Sequence, residues 1–296
     1  MAHILVAGLG DLGGAVARRF LADGHQVSGI RRQTISIAGV DLYPQDLIND
    51  PLVLPPDQID LLCIVLTPAQ RSVEGYQNAF LTAPTRLLDA IAAQQPLPPL
   101  IFVSSTAVYG QLSGWVSEQT PPKPDQFNGR ILLAAEEELS LRTLTTVVRF
   151  SGIYGPGRER MLTMARTLSE QLQADPQASQ PEPAWTNRIH VDDCVSLLSI
   201  VGERWLAGEM VPPLVIGTDN MPCLNTTVLN WIAQQQGLNL ALAEPDIAPG
   251  KRIRSDYLSN LINSTNEPAP NNKDSKRFTL RYPDFRAGYR PMISPA

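Results

Sequence analysis

At 296 residues with 43% hydrophobic side chains, the chain is long enough for a cofactor-binding domain and a smaller lobe, and apolar enough for a packed core. A net charge of −5 with no basic stripe argues against a nucleic-acid partner, and no apolar run approaches the length of a membrane span. The chain enters a strand at once, leaving no room for a signal peptide, and Cys63, Cys194 and Cys223 are scattered without metal-ligand spacing, so a reduced, cytoplasmic protein without a metal is expected.

The first apolar stretch, His3-Ile4-Leu5-Val6-Ala7, reads as a buried parallel strand. Asp11 to Leu21 reads as a helix with Leu12, Ala15, Val16 and Phe20 on one face. Between them runs Gly8-Leu9-Gly10-Asp11-Leu12-Gly13, a G-x-G-x-x-G at a strand-to-helix turn, which is the context that marks a dinucleotide site. Gly8 permits the turn, Gly10 lets the backbone approach a pyrophosphate, and Gly13 lets helix and strand pack closely. The helix N-terminus offers free N–H groups to the phosphates.

Gly24 stops the helix, and a second strand, Gln26 to Ile30, runs straight into Arg31-Arg32 with no acid before Asp41. An acidic residue at that place suits the ribose hydroxyls of NAD, whereas guanidinium groups suit a 2′-phosphate. NADP is therefore the expected cofactor ahead of NAD, the plain alternative for the two arginines being a solvated pair. Asp46-Leu47 follows at a position suited to hydrogen-bond and cover an adenine. Asp60 to Leu66 is a buried strand ended by Thr67-Pro68, and its carboxyl end, Leu66 and Thr67, should line the cofactor crevice, with Cys63 in the core.

A helix is expected from Tyr76 to Ala93, with Phe80, Leu87, Leu88 and Ile91 inward and a kink or break at Pro84. The next strand delivers Ser104, Ser105 and Thr106 to its carboxyl end, where ligands bind. Thr146 to Phe150 is a further buried strand leading into a Gly/Pro-rich turn, Gly152 to Arg158, and a helix from Met161 to Ala174. After an exposed connection from Pro176 to Pro183, Asp192 or Asp193 should cap a helix bearing Val195, Leu198 and Val201. A strand over Pro213–Thr218, a helix opened by Thr226-Thr227, and a flexible polar insertion near 263–276 complete the reading.

Ser104-Ser105-Thr106-Ala107-Val108-Tyr109-Gly110 resembles the S-S-x-x-V-Y-G segment of the extended short-chain dehydrogenase/reductases, the NAD(P)-dependent sugar epimerase/dehydratase family. Three further segments match in order: Gly114 to Pro124 resembles an x-E-x-x-P-x-x-P loop, Arg149 to Arg158 an R-x-x-x-x-Y-G-P-G turn, and Arg188 to Asp193 an I-H-V-D-D segment. The resemblance implies a doubly wound α/β fold of Rossmann type with a smaller C-terminal substrate lobe. Residues 1–154 would form the cofactor domain, 189–217 would return to it, and 155–296 would be mainly lobe. It also implies a homodimer paired through two helices, as family members often form.

One departure concerns the chemistry. Aligning the family's A-A-E-E-like run on Ala134-Ala135-Glu136-Glu137 puts the catalytic tyrosine position at Asn128 and the lysine position at Leu132. An asparagine does not shuttle protons near neutral pH, and a leucine carries no charge. Ser105 matches the family's active-site serine and Ser104 would stand beside the cofactor. Thr106, Tyr109, Ser151, Tyr154, Arg158 and His190 would lie along the substrate. For these the alternatives are packing for the two tyrosines, a backbone bond for His190 and a solvated loop for Arg158. Two functions follow: an oxidoreductase or epimerase acting on a sugar nucleotide or similar polar carbonyl or alcohol, with altered acid/base machinery, or a non-catalytic dinucleotide-binding regulator.

Overall fold

Apolar runs separated by helices bury most strands on both faces, which a parallel sheet flanked by helices accommodates. The computed structural model describes residues 1–34, 36–263 and 278–293. Its strands are β1 (His3–Ala7), β2 (Gln26–Arg31), β3 (Val40–Pro44), β4 (Leu61–Ile64), β5 (Leu100–Ser105), β6 (Gly114–Val116), β7 (Thr145–Phe150), β8 (Gly152–Tyr154), β9 (Trp185–Thr186), β10 (Arg188–His190), β11 (Leu214–Gly217), β12 (Cys223–Leu224) and β13 (Lys251–Ile253). The helices are α1 (Asp11–Ala22), α2 (Val73–Gln77), α3 (Ala83–Ala92), α4 (Phe127–Arg142), α5 (Arg160–Ala174), α6 (Val191–Leu206), α7 (Asn225–Gln235), α8 (Asp256–Asn263) and α9 (Phe285–Tyr289).

Seven strands form one sheet in the order β11-β7-β5-β4-β1-β2-β3. Every pairing in it is parallel, with Val6 opposite Cys63 and Ser104 opposite Arg149. The chain reverses its winding direction between β1 and β4, so the carboxyl ends of those strands open a crevice. On one face α1 packs against α6 through Phe20, Leu197, Leu198 and Val201. On the other, α3 and α4 contribute Leu87, Leu88, Ile91, Ile131, Leu132 and Ala135. A third core lies under α5, α7 and α9, built on Leu162, Val228, Ile232, Phe285 and Tyr289. This is the expected α/β architecture with additional C-terminal elements. No helix among the described residues is long and apolar enough to cross a membrane.

Three local readings change. The edge strand β3 escapes a search for apolar runs because none of its five residues is fully buried. The helix expected over Tyr76–Ala93 begins earlier, at Val73, and is interrupted by a π-turn, Asn78–Thr82, just before Pro84. That wider turn places Pro84 in the first turn of α3, where its missing N–H matters least. Neither Asp192 nor Asp193 caps α6: His190 does, its ring Nδ1 accepting the Asp192 N–H at 3.2 Å. The insertion expected near 263–276 lies, but for Asn263, outside the described residues.

Candidate functional site

The glycine turn owes its shape to contacts no larger residue could make. Gly8 has φ +98° and donates its N–H to the Ile30 carbonyl at 2.9 Å, and a Cβ there would lie 2.2 Å from the Val65 oxygen. A Cβ on Gly13 would lie 2.0 Å from the Gly8 oxygen. Gly10 is different: a Cβ on it would meet nothing within 4 Å. It is also the N-cap of α1 and supplies no side chain to the first-turn N–H groups. The turn is thus packed tightly behind and open in front, which fits a pyrophosphate resting on the helix N-terminus.

A cavity of about 660 Å3 opens from this turn. It brings together Gly8, Gly10, Arg31, Arg32, Asp46, Leu47, Leu66 and Thr67, eight of the twelve residues expected to hold the cofactor. The carboxylate of Asp46 accepts the Ile48 N–H at 2.9 Å and the Asn49 amide at 3.0 Å. Those bonds, chiefly the first, and the nearby Arg32 charge hold its pKa below the usual value. Sequence reasoning missed Gly75, Asn78 and Ala79, which line the same cavity from α2 and the π-turn; Pro84 inside an apolar helix was the signal of irregular backbone there. A larger and more open groove of about 850 Å3, between α7 and residues 238–244, holds none of the expected residues.

The other four cofactor candidates sit apart from that lining. Leu12 is buried in the core and Gly13 packs against the turn. Asp11 projects outward, its side chain 65% exposed, and pairs with Arg158 at 2.7 Å. Ser104 donates its hydroxyl to Glu136 at 2.5 Å. Glu136 in turn holds Arg149, whose Nη2 lies 2.5 Å from its carboxylate, and Arg149 donates to the Tyr109 hydroxyl at 2.9 Å. Both charged side chains are about 5% exposed. Burial works against the Arg149 charge, but the Glu136 bonds and charge outweigh it and keep the guanidinium protonated. An Arg in the apolar run of β7 and a Glu on the apolar face of α4 were the readable signs of this pair.

At the carboxyl end of β5, Ser105 caps a short 3-10 turn, Thr106–Tyr109, its oxygen accepting the Ala107 N–H at 3.2 Å. Its side chain is only partly buried and its hydroxyl proton remains available to donate. Asn128 is the second residue of α4 and partly exposed, while Leu132, one turn later, lies in the core. The whole of α4 contains neither a tyrosine nor a lysine.

Most residues expected along the substrate are instead engaged inside the protein. Tyr109 is fully buried and donates to the Ser117 carbonyl at 3.2 Å; burial pushes its hydroxyl pKa up. Thr106 is buried, and Ser151 is buried and donates to Gly217 at 3.1 Å. Tyr154 donates to the Asp284 carbonyl at 3.2 Å and packs on Tyr289, and its pKa lies far above the usual range because of burial. His190 is covered by the Tyr282 ring at 3.7 Å between centroids, and burial lowers its pKa. The reason is the C-terminal segment: Asp193 accepts the N–H groups of Arg281 and Tyr282 at 2.7 and 3.1 Å and clamps that segment over β8 and β10. Arg158 alone of the six is substantially exposed, at 33% of its side chain. Among the described residues, no group of three or more His, Cys, Asp or Glu side chains could hold a metal ion.

Comparison with known proteins adds the family. A sequence profile described as the NAD dependent epimerase/dehydratase family matches residues 4–217. Protein YeeZ of Escherichia coli strain K12 is 34% identical over 170 residues, which are 53% of this chain and 61% of that protein. The chain thus matches about three fifths of that curated relative's length. A solved structure of a candidate NAD-dependent epimerase/dehydratase from Methylobacillus flagellatus is 31% identical, with a TM-score of 0.76, covering 99% of this chain and 97% of that one. MoeE5, solved in complex with UDP-glucose and NAD, shares the fold at 22% identity and a TM-score of 0.69, covering 98% and 97%. The expectation of NADP does not stand: the matching family is described as NAD dependent, and MoeE5 was solved with NAD. Physically, Arg31 and Arg32 share the cavity with the Asp46 carboxylate, so two guanidinium groups at a strand end do not by themselves define a 2′-phosphate site.

Proposed function

Because this chain belongs to the NAD dependent epimerase/dehydratase family, as an atypical member whose α4 carries neither Tyr nor Lys, we propose that it is an NAD-binding epimerase/dehydratase-like enzyme acting on a sugar nucleotide. The observation that carries the reading is the glycine turn, closed behind by Gly8 and Gly13, open at Gly10, and continuous with a cavity lined by Asp46, Leu47, Leu66 and Thr67.

In this reading NAD supplies hydride acceptance and return at its nicotinamide. Gly10 and the first N–H groups of α1 hold the pyrophosphate, while Asp46 and Leu47 bond and cover the adenine. Residues 1–154, with 189–217, form the cofactor unit, and 155–296 supply most of the substrate lobe. Ser105 donates its hydroxyl to the reacting oxygen of the substrate. Asn128 and Leu132 take the places of the family's tyrosine and lysine. The Asn128 amide can hydrogen-bond that oxygen but cannot remove its proton, and Leu132 adds no charge, so proton transfer falls to water or to the substrate itself.

The missing Tyr and Lys favour a second reading, a dinucleotide-binding regulator without turnover. One titration separates the two. Protein is titrated with NADH while nicotinamide fluorescence is followed, and nucleotide sugars and keto-sugars are then added. Coenzyme binding followed by loss of reduced nicotinamide with one substrate supports the enzyme. Binding that no substrate perturbs supports the regulator, and no binding refutes both.

A further inference from the structure

Asp11 and Arg158 lie 147 positions apart, yet their side chains meet at the rim of the glycine turn. Arg158 closes the Gly155–Arg158 turn, its N–H bonded to the Gly155 carbonyl at 2.9 Å. Its Nε donates to one Asp11 carboxylate oxygen at 2.8 Å, and its Nη2 lies 2.7 Å from the same oxygen. With side chains 65% and 33% exposed, this pair adds little to folding stability.

Its position is more informative than its strength. Asp11 is the first residue of α1 and follows Gly10, in front of which the turn is open. A carboxylate in a first helical turn complements the helix dipole. The same N–H groups that favour it would hold the phosphates, so Asp11, although its side chain projects outward, would stand beside a bound pyrophosphate as a like charge. Arg158 is the side chain that pairs with it.

Resting on the NAD reading above, we propose that Arg158 is a positioning residue for the dinucleotide. It neutralises Asp11 beside the pyrophosphate and ties the Gly155–Arg158 turn to the phosphate end of the cleft. The resemblance had placed Arg158 on the substrate; its Asp11 contact turns it toward the cofactor instead. The positive charge matters here, not a particular hydrogen-bond fork, because its task is to cancel a carboxylate.

The test is calorimetric titration of NAD into the wild type, Arg158→Ala, Arg158→Lys, Asp11→Asn and the Arg158→Ala/Asp11→Asn double variant. Losing Arg158 should raise Kd about tenfold, since an unpaired charge near a phosphate interacts at intermediate dielectric. Adding Asp11→Asn should bring it back to within about twofold, because removing both charges restores local neutrality, and Arg158→Lys should stay near wild type, because the positive charge is kept. The gap between Arg158→Ala and wild type should narrow as salt is raised. Wild-type affinity in Arg158→Ala, or a loss that Asp11→Asn does not restore, would overturn the proposal. A wild type that binds no NAD would overturn the cofactor reading itself, a different result from wild-type binding that ignores Arg158.

Discussion

Gly10→Ala separates the glycine turn's role in folding from its role in binding. The added methyl would meet nothing within 4 Å, and Gly10 has φ −74° and ψ −159°, an extended conformation at negative φ that alanine can adopt. Folding should therefore lose only the helix-capping difference between glycine and alanine, about 1 kcal/mol or less. In the proposed reading the methyl occupies the space into which the pyrophosphate would settle, so NAD affinity should fall at least about tenfold, or about 1.4 kcal/mol. Gly13→Ala is the contrast. Its methyl would stand 2.0 Å from the Gly8 oxygen, where ordinary contact is 3.4–4 Å, and backbone cannot swing aside as a side chain can. That overpacking should cost about 1–3 kcal/mol of stability whether or not cofactor is present. Thermal melting without ligand and calorimetric NAD titration read the two quantities independently. A Gly10→Ala protein that binds NAD as tightly as wild type would refute the cradle, and a Gly10→Ala protein that melts as early as Gly13→Ala would refute its open front.

Glu136→Gln should destabilise the fold by about 3–5 kcal/mol, because it leaves the Arg149 guanidinium buried without its counter-charge; a urea midpoint close to wild type would contradict this. Asp219 is 3% exposed, and burial pushes its carboxyl up to about 7 even though it accepts the Met221 N–H. A carboxyl raised from 3.8 in the folded state favours folding while protonated, and that contribution is lost as pH rises through about 7. A shift of that size corresponds to about 4 kcal/mol. Asp219→Asn should accordingly gain stability above pH 7 and flatten the pH profile of unfolding, whereas an unchanged profile would place the titration elsewhere. Ser105→Ala should reduce turnover at least about tenfold while leaving NAD affinity unchanged, since the proposed bond to the reacting oxygen is lost and the Ala107 N–H cap that goes with it lies away from the dinucleotide cavity; equal loss of both would move Ser105 to the cofactor.

How much was legible in the sequence follows from how local each feature is. The strand–glycine turn–helix over 3–22 needed only apolar runs, glycine's freedom at φ +98° and the periodicity of one helix face. The parallel sheet followed from strands apolar on both faces, while β3, half exposed at the edge, left no such mark. The acid that shares the cavity with Arg31 and Arg32 is Asp46, which lies beyond the next strand, so reading charge at the end of β2 alone pointed to the wrong coenzyme. The polar segments around residues 104–109 and 149–158 were found as segments, and Arg149 within the apolar run of β7 marked itself as buried, but the segments left open whether Tyr109 and Tyr154 pack inward or line a substrate.

That choice belongs to pairings across long stretches of chain. Asp193 draws in the backbone of residues 281 and 282 and thereby covers His190 and Tyr154. Arg149 finds Glu136 and Tyr109 only because β5, β7 and α4 pack together. The sequence by itself determined most of the central strands and helices, their order and the glycine turn, because φ/ψ preference and hydrophobic period act over a few residues. Only the tertiary structure decided which hydroxyls and charges stay in the cleft, because a buried polar group must find its partner wherever the fold brings one.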